Sequence, residues 1–209
     1  MTGVEYEFDP VERFVAGTVG EPGARTFFLQ ARGLLGSTGK SALTSVSLEK
    51  QQVQALAERV DEMLDEVVRR SGGTAPVPAV APVGSEDLDP MDTPIEEEFR
   101  VGTMSLVWDD DRGAVVIECF SIEPSDVGEE GDPAADPGDD PADDPDAEVP
   151  AGTGGDRSVL RVTLAGGAAR SFTRRALALV AAGRPPCPFC LEPLDPQGHV
   201  CPRANGYRR

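Results

Sequence analysis

Two stretches hold most of the prolines of this 209-residue chain, and they decide where it can fold. Residues 72–95 run from Gly72-Gly73 through Pro76, Pro78, Pro82, Pro90 and Pro94 without apolar periodicity, which reads as a flexible, polyproline-like loop. Residues 123–157 repeat Asp-Pro at 132–133, 136–137, 140–141 and 144–145 among further acids. Such a segment cannot bury enough apolar surface to offset its chain entropy, so a disordered, self-repelling acidic insertion is expected there. What remains is three apolar-bearing segments, together enough for one compact domain of ordinary size.

The period of the apolar residues changes along these segments. Glu5 to Phe8, Arg13 to Val19, Arg25 to Ala31 and Ala42 to Leu48 are β-rich. Gly20-Glu21-Pro22-Gly23 separates the second from the third and predicts a hairpin. Val53, Leu56, Val60, Met63, Leu64 and Val67 then recur at three- and four-residue steps, with acids and Arg59 between them, predicting a long amphipathic helix to about residue 70. Phe99 to Trp108 and Ala114 to Phe120 flank a polar turn, and Val159 to Leu164 is one more strand. A second helix, capped by Ser171, should bury Phe172, Ala176, Leu179 and Val180 and stop at Gly183 and Pro185. Strands joined mostly by hairpins predict an α+β fold, a mainly antiparallel sheet with two packed helices spanning residues 1–183.

The sharpest chemical signal follows, in residues 184–209. Cys187-Pro188-Phe189-Cys190 and His199-Val200-Cys201 place three of the four cysteines and the sole histidine within one short window. A Cys-x-x-Cys and a His-x-Cys joined by eight residues can offer a tetrahedron of three thiolates and one imidazole to one Zn2+, because the two-residue gap lets a tight turn aim both thiolates at one point. The expectation is a structural, zinc-knuckle-like tail with Cys187, Cys190, His199 and Cys201 as ligands. A redox dithiol fits less well: such a pair sits at the start of a helix after a strand, whereas this one follows a helix and two prolines. A catalytic zinc keeps one position open and usually has a general base nearby, and four soft ligands close the sphere.

Charge is unevenly laid out. Residues 1–122 carry 22 acids and 10 bases, residues 123–156 carry 13 acids and no base, and residues 157–209 carry 2 acids and nine arginines. A formal net charge of −18 argues against general nucleic-acid binding, although the basic last third leaves a local anion-binding surface open, with Arg184, Arg203, Arg208 and Arg209 near the cysteines. The acidic insertion is either a solvated loop or an internal competitor for those arginines. No signal peptide and no membrane-length apolar run is seen, and clustered metal-spaced cysteines suit a reducing compartment, so a cytoplasmic protein without membrane association is expected.

Phe8-Asp9-Pro10, Arg13-Phe14-Val15-Ala16-Gly17-Thr18-Val19-Gly20, Leu48-Glu49-Lys50-Gln51-Gln52 and the ending Gly198-His199-Val200-Cys201-Pro202-Arg203-Ala204-Asn205-Gly206-Tyr207 resemble an actinobacterial family of domains of unknown function, number 3090. The resemblance implies a GC-rich actinobacterial source, in keeping with 17 arginines against two lysines, and a cytoplasmic protein with a cysteine-bearing tail. It implies no activity. The chain departs from the family pattern at 32–41 and 123–157.

Other motifs carry less. Gly39-Lys40-Ser41 ends like a phosphate-binding loop, but the glycine required five residues before Gly39 is Leu34, and the loop leads into a β-rich run where a helix is needed. Cys119 alternates with Glu118 and Phe120, as a buried structural thiol would. The resulting expectation is a zinc-stabilised adaptor acting on a protein partner. The alternatives are a nucleic-acid-associated zinc protein and an enzyme whose chemistry rests on carboxylates, arginines and hydroxyls.

Overall fold

A computed structural model of the chain describes residues 3–85, 87–122, 157–183, 187–190, 194, 201 and 203. The expected acidic insertion, apart from its last residue, lies outside them. Seven strands are β1 (Glu5–Phe8), β2 (Arg13–Val19), β3 (Thr26–Leu34), β4 (Ser41–Leu48), β5 (Glu97–Asp109), β6 (Ala114–Ser121) and β7 (Val159–Ala165). Helix α1 (Lys50–Arg70) follows β4 and α2 (Gly166–Ala181) follows β7. The strands form one mixed, mostly antiparallel sheet in the order β1-β7-β6-β5-β4-β3-β2. The hairpins β2–β3 and β5–β6 are where the turn residues put them. Two pairs run parallel: β4 with β5, joined through α1, and β1 with β7, from opposite ends of the chain.

The sheet curls until its ends meet. Phe8 of β1 forms an antiparallel bridge to Leu35 just beyond β3, and Gly36 N donates to Glu7 O at 2.9 Å. The β1–β2 connection closes the gap further, with Val11 N donating to Thr163 O and Glu12 N to Arg32 O. Alternate strand residues face one core: Phe14 and Ala16 of β2, Leu29 and Ala31 of β3, Ile117 and Cys119 of β6, Leu160 and Val162 of β7. Val53, Leu56, Ala57, Val60 and Leu64 of α1 lie on the predicted stripe and bury against it. Each fully buried side chain of this size contributes roughly 1.5–3 kcal/mol.

The start of α1 is locked to the sheet by one side chain. Gln52 accepts from the Glu49 backbone N–H at 2.8 Å while its amide nitrogen donates to Val101 O and Gly102 O, where the β5 register shifts. Helix α2 begins five residues earlier than the expected Ser171 cap. Gly166 opens it where a Cβ would come within 3.0 Å of Pro76 O and Val77 Cγ2, so glycine lets the strap pack close without displacement. Ser171 is inside the helix and donates back to Gly167 O. Arg170, only 5% exposed, clamps α2 to α1 through Asp61 and Asp65 and reaches Pro78 O.

The described residues of 71–96 take no strand or helix, as their prolines and glycines predict, yet they are laid down on the protein. Val77 joins the core, on the helix side of the sheet. Further on, Met91 covers Gly17, and Asp92 exchanges backbone bonds with the side chain of Gln30, N to Oε1 at 2.7 Å and Nε2 to O at 3.0 Å. Gly17 and Gln30 alternate with the core-facing residues, so this part of the segment lies on the opposite face of the sheet. The strap therefore passes around the β2 edge, where Arg175 of α2 bonds both Ala16 O and Asp87 O.

Candidate metal centre

The tail brings its cysteines together. The sulfurs of Cys187, Cys190 and Cys201 lie within 4.8 Å of one another, and Cys187 and Cys201 are buried. The Cys187 to Cys201 sulfur separation is 3.8 Å. A disulfide would need about 2.05 Å. A tetrahedron with Zn–S distances of about 2.3 Å has edges of about 3.8 Å between sulfurs. Three thiols within 4.8 Å of one another, one pair of them at that edge length, are a cluster that could chelate a metal ion. The turn through Pro188 and Phe189 carries the chain from Cys187 to Cys190, and Arg203 Nη1 donates to Phe189 O at 3.1 Å, tying the segment after Cys201 to that turn. His199, the fourth expected ligand, lies outside the described residues.

Cys119 is apart from the cluster, in β6. It is buried in the core, and burial, then the Glu118 carboxylate beside it, pushes its thiol up to about 12. A thiol so held is neutral and inert at neutral pH. Gly39-Lys40-Ser41 connects two antiparallel strands and opens no helix. Neither segment builds a site.

Among the described residues, the arginines of the basic last third have partners within the molecule. Arg161 pairs with Glu118, Arg170 with Asp61 and Asp65, Arg175 with Asp87, and Arg203 with Phe189 O. Residue counting cannot see this, because each partner is more than 40 positions away except within the tail. Arg184, Arg208 and Arg209 lie outside the described residues.

The sequence reading missed a second polar assembly. Arg13 and Arg32 are directly opposite in the β2–β3 register, where like charges repel. The Asp92 carboxylate bridges them at 3.0 and 2.8 Å, and Asp87 takes the Nε and Nη2 of Arg13 at 2.6 and 2.9 Å. Arg175 approaches the same Asp87 carboxylate at 3.0 Å. The bond to Arg13 holds Asp87 below the usual carboxylate range against the opposing effect of burial. Burial pulls Arg175 down, only partly countered by Asp87. The signal was available: two arginines at paired hairpin positions require an anion, and the strap offers Asp87, Asp89 and Asp92.

Among the described residues no helix is long and apolar enough to cross a membrane. A family model described as "Protein of unknown function (DUF3090)" matches residues 6–201. No curated protein and no solved structure matches the chain.

Proposed function

We propose, for a chain that belongs to the DUF3090 family of proteins of unknown function, that it is a cytoplasmic, zinc-stabilised adaptor. Cys187, Cys190 and Cys201 hold one Zn2+ with His199 as the fourth ligand, and residues 1–183 carry this 184–209 module to a protein partner. The observation that supports the reading is the convergence of three sulfurs within 4.8 Å of one another, with Cys187 and Cys201 at the tetrahedral edge length. Zinc suits the set because soft thiolates and an imidazole close its sphere without redox chemistry. Closing that sphere makes the metal a staple: the ligands come from two short segments that, without it, have few apolar side chains to bring together.

Phe189 supports the adaptor half of the proposal. It sits at the tip of the Cys187–Cys190 turn, 60% exposed, where a metal-rigidified turn can present an aromatic ring to a partner at little entropic cost. Two measurements test the reading. Metal analysis of protein purified without chelator should give one zinc per chain, lost in a Cys187→Ser/Cys190→Ser variant. Affinity capture should recover a partner with the full chain that a form ending at residue 183, and a Phe189→Ala form, do not. Absence of zinc sinks the metal assignment. Capture of nucleic acid in a salt-sensitive way, with no protein retained, sinks the adaptor.

A further inference from the structure

A cavity of about 410 Å3 opens in the seam between β2, β7, the first turns of α2 and the strap. That volume lies in the range of small-molecule sites, which favour the mouths of curled sheets. Its floor is apolar. Phe14 and Phe172, stacked at 4.8 Å between ring centroids, line it together with Val15 and Leu164. Its polar lining is Arg13, Arg175, Glu12, Asp87, Ser85 and Ser171, with Gly167 and Ala168 of the first turn of α2.

Three observations give this lining a preference for negative charge. Arg175, Asp87, Arg13, Asp92 and Arg32 form a line of alternating sign with three cations and two anions, and its cavity end is Arg175. Asp87 is shared between two guanidinium groups, so neither has a carboxylate to itself. Glu12 lines the rim and Asp89 lies near Arg175, but both are exposed, and solvent weakens their charge relative to the half-buried guanidinium groups. Next, Ala165 occupies the N-cap of α2 and makes no side-chain cap to the amides of the first turn, two residues of which, Gly167 and Ala168, line the cavity. Finally, the Ser85 and Ser171 hydroxyls lie 2.6 Å apart while Ser85 also faces Pro82 O and Ser171 faces Gly167 O. Either hydroxyl can rotate its proton away from its carbonyl to donate to a ligand oxygen, so the pair supplies donors to a head group.

We infer that this seam cavity binds a small amphipathic anion, a carboxylate or phosphate ester whose apolar body lies on Phe14, Leu164 and Phe172 and whose charged head meets Arg175 and the start of α2. The strap is part of the site, since it supplies Ser85 and the Asp87 that positions both arginines. This site is independent of the metal centre, and it needs no metal.

The full chain should be titrated by calorimetry, and by amide shift mapping, with octanoate, octyl phosphate, octanol and inorganic phosphate. At least one octyl anion is expected to bind and to move the amides of Gly167 and Ala168. Octanol should bind about tenfold or more weaker, and so should inorganic phosphate. The better of the two octyl anions identifies the head group, and equal binding supports the shared chemistry. Arg175→Met should weaken binding about tenfold or more, with Arg175→Lys between it and the parent. Because Arg175→Met can disturb the β2 edge, Ala168→Trp, at an exposed position on the rim, provides a second block and should abolish binding while leaving the melting temperature unchanged. The inference is overturned if neither octyl anion moves those amides, if octanol matches octanoate, if inorganic phosphate matches octyl phosphate, or if Ala168→Trp binds as the parent does.

Discussion

The strap at 71–96 and the tail from Cys187 onward look alike in sequence, both proline-rich and without apolar period, but the interactions that order them differ in kind. The strap is held by the body of the protein: Val77 in the core, Gln30 pairing with the Asp92 backbone, and arginines of β2, β3 and α2 grasping its carboxylates. The described part of the tail is organised around three sulfurs. One irregular segment is thus fixed by charges written elsewhere in the chain, whereas the other, on the proposal above, is fixed by a species the chain does not encode. The lesson is that low periodicity predicts the absence of helix and strand, and says nothing about whether the backbone is held.

The largest effect expected is on the tail alone. Stripping the metal with chelator, or Cys187→Ser/Cys190→Ser, should take zinc from one per chain to none, with hydrogen exchange rising at 187–203 while the sheet and helices keep their melting transition. Loss of the whole transition would show that the tail and body are one cooperative unit.

Next in size is Arg13→Ala. It removes a guanidinium that is 11% exposed and leaves Asp87 to Arg175 and Asp92 to Arg32, each with one fewer cation. Discounted for the roughly one-third exposure of those carboxylates, the cost should be about 2–3 kcal/mol in denaturant unfolding, without loss of zinc. An effect under about 0.5 kcal/mol would mean that the strap is held by its apolar contacts instead.

Acid should release the strap before it unfolds the body. Asp87 has a depressed pKa in the native state, so its stabilising contribution is complete above the ordinary carboxylate value of about 3.9 and is lost as pH falls through its lower native value. The Met91 methyl resonance should therefore shift toward its solvated position below about pH 4, and Asp87→Asn should show that shifted position at neutral pH. A Met91 signal unchanged through this range would separate the strap from its ion pairs.

The smallest effect is at Gly17, where an added Cβ would meet the Met91 side chain. Because that chain is flexible, Gly17→Ala should cost about 1 kcal/mol or less, and Met91→Ala should relieve it. Full additivity of the two changes would place Met91 elsewhere.

What could be read in the sequence was what depends on neighbours a few residues apart. The β2–β3 hairpin follows from Gly20-Glu21-Pro22-Gly23, the face of α1 from its three-four spacing, and the metal cluster from Cys-x-x-Cys near a third cysteine. The start of α2 was misplaced because Gly166-Gly167 resembles a turn until Val77 is known to press against it. The strap was invisible for the same reason: its anchors are Arg13, Gln30, Arg32 and Arg175, which no local window contains. The parallel pairing of β1 with β7 joins Glu5–Phe8 to Val159–Val162, and nothing in either short strand specifies the other.

That last pairing sets an order on the birth of the molecule. Translation delivers residues at roughly 5–20 per second, and domains fold as their parts emerge. β1 leaves the ribosome first but its partner strand is among the last parts of the sheet to follow, so the edge of β1 stays unpaired for the synthesis of everything between. Val11 and Arg13, immediately after it, face Thr163 and Arg175 across the same seam. Until β7 and α2 arrive, the cavity has one wall, and a chain stalled within the acidic stretch would expose Phe8, Phe14 and the open β2 edge together. Such a nascent chain is the form most prone to aggregate, and a ligand that requires both walls can bind only after synthesis has passed α2.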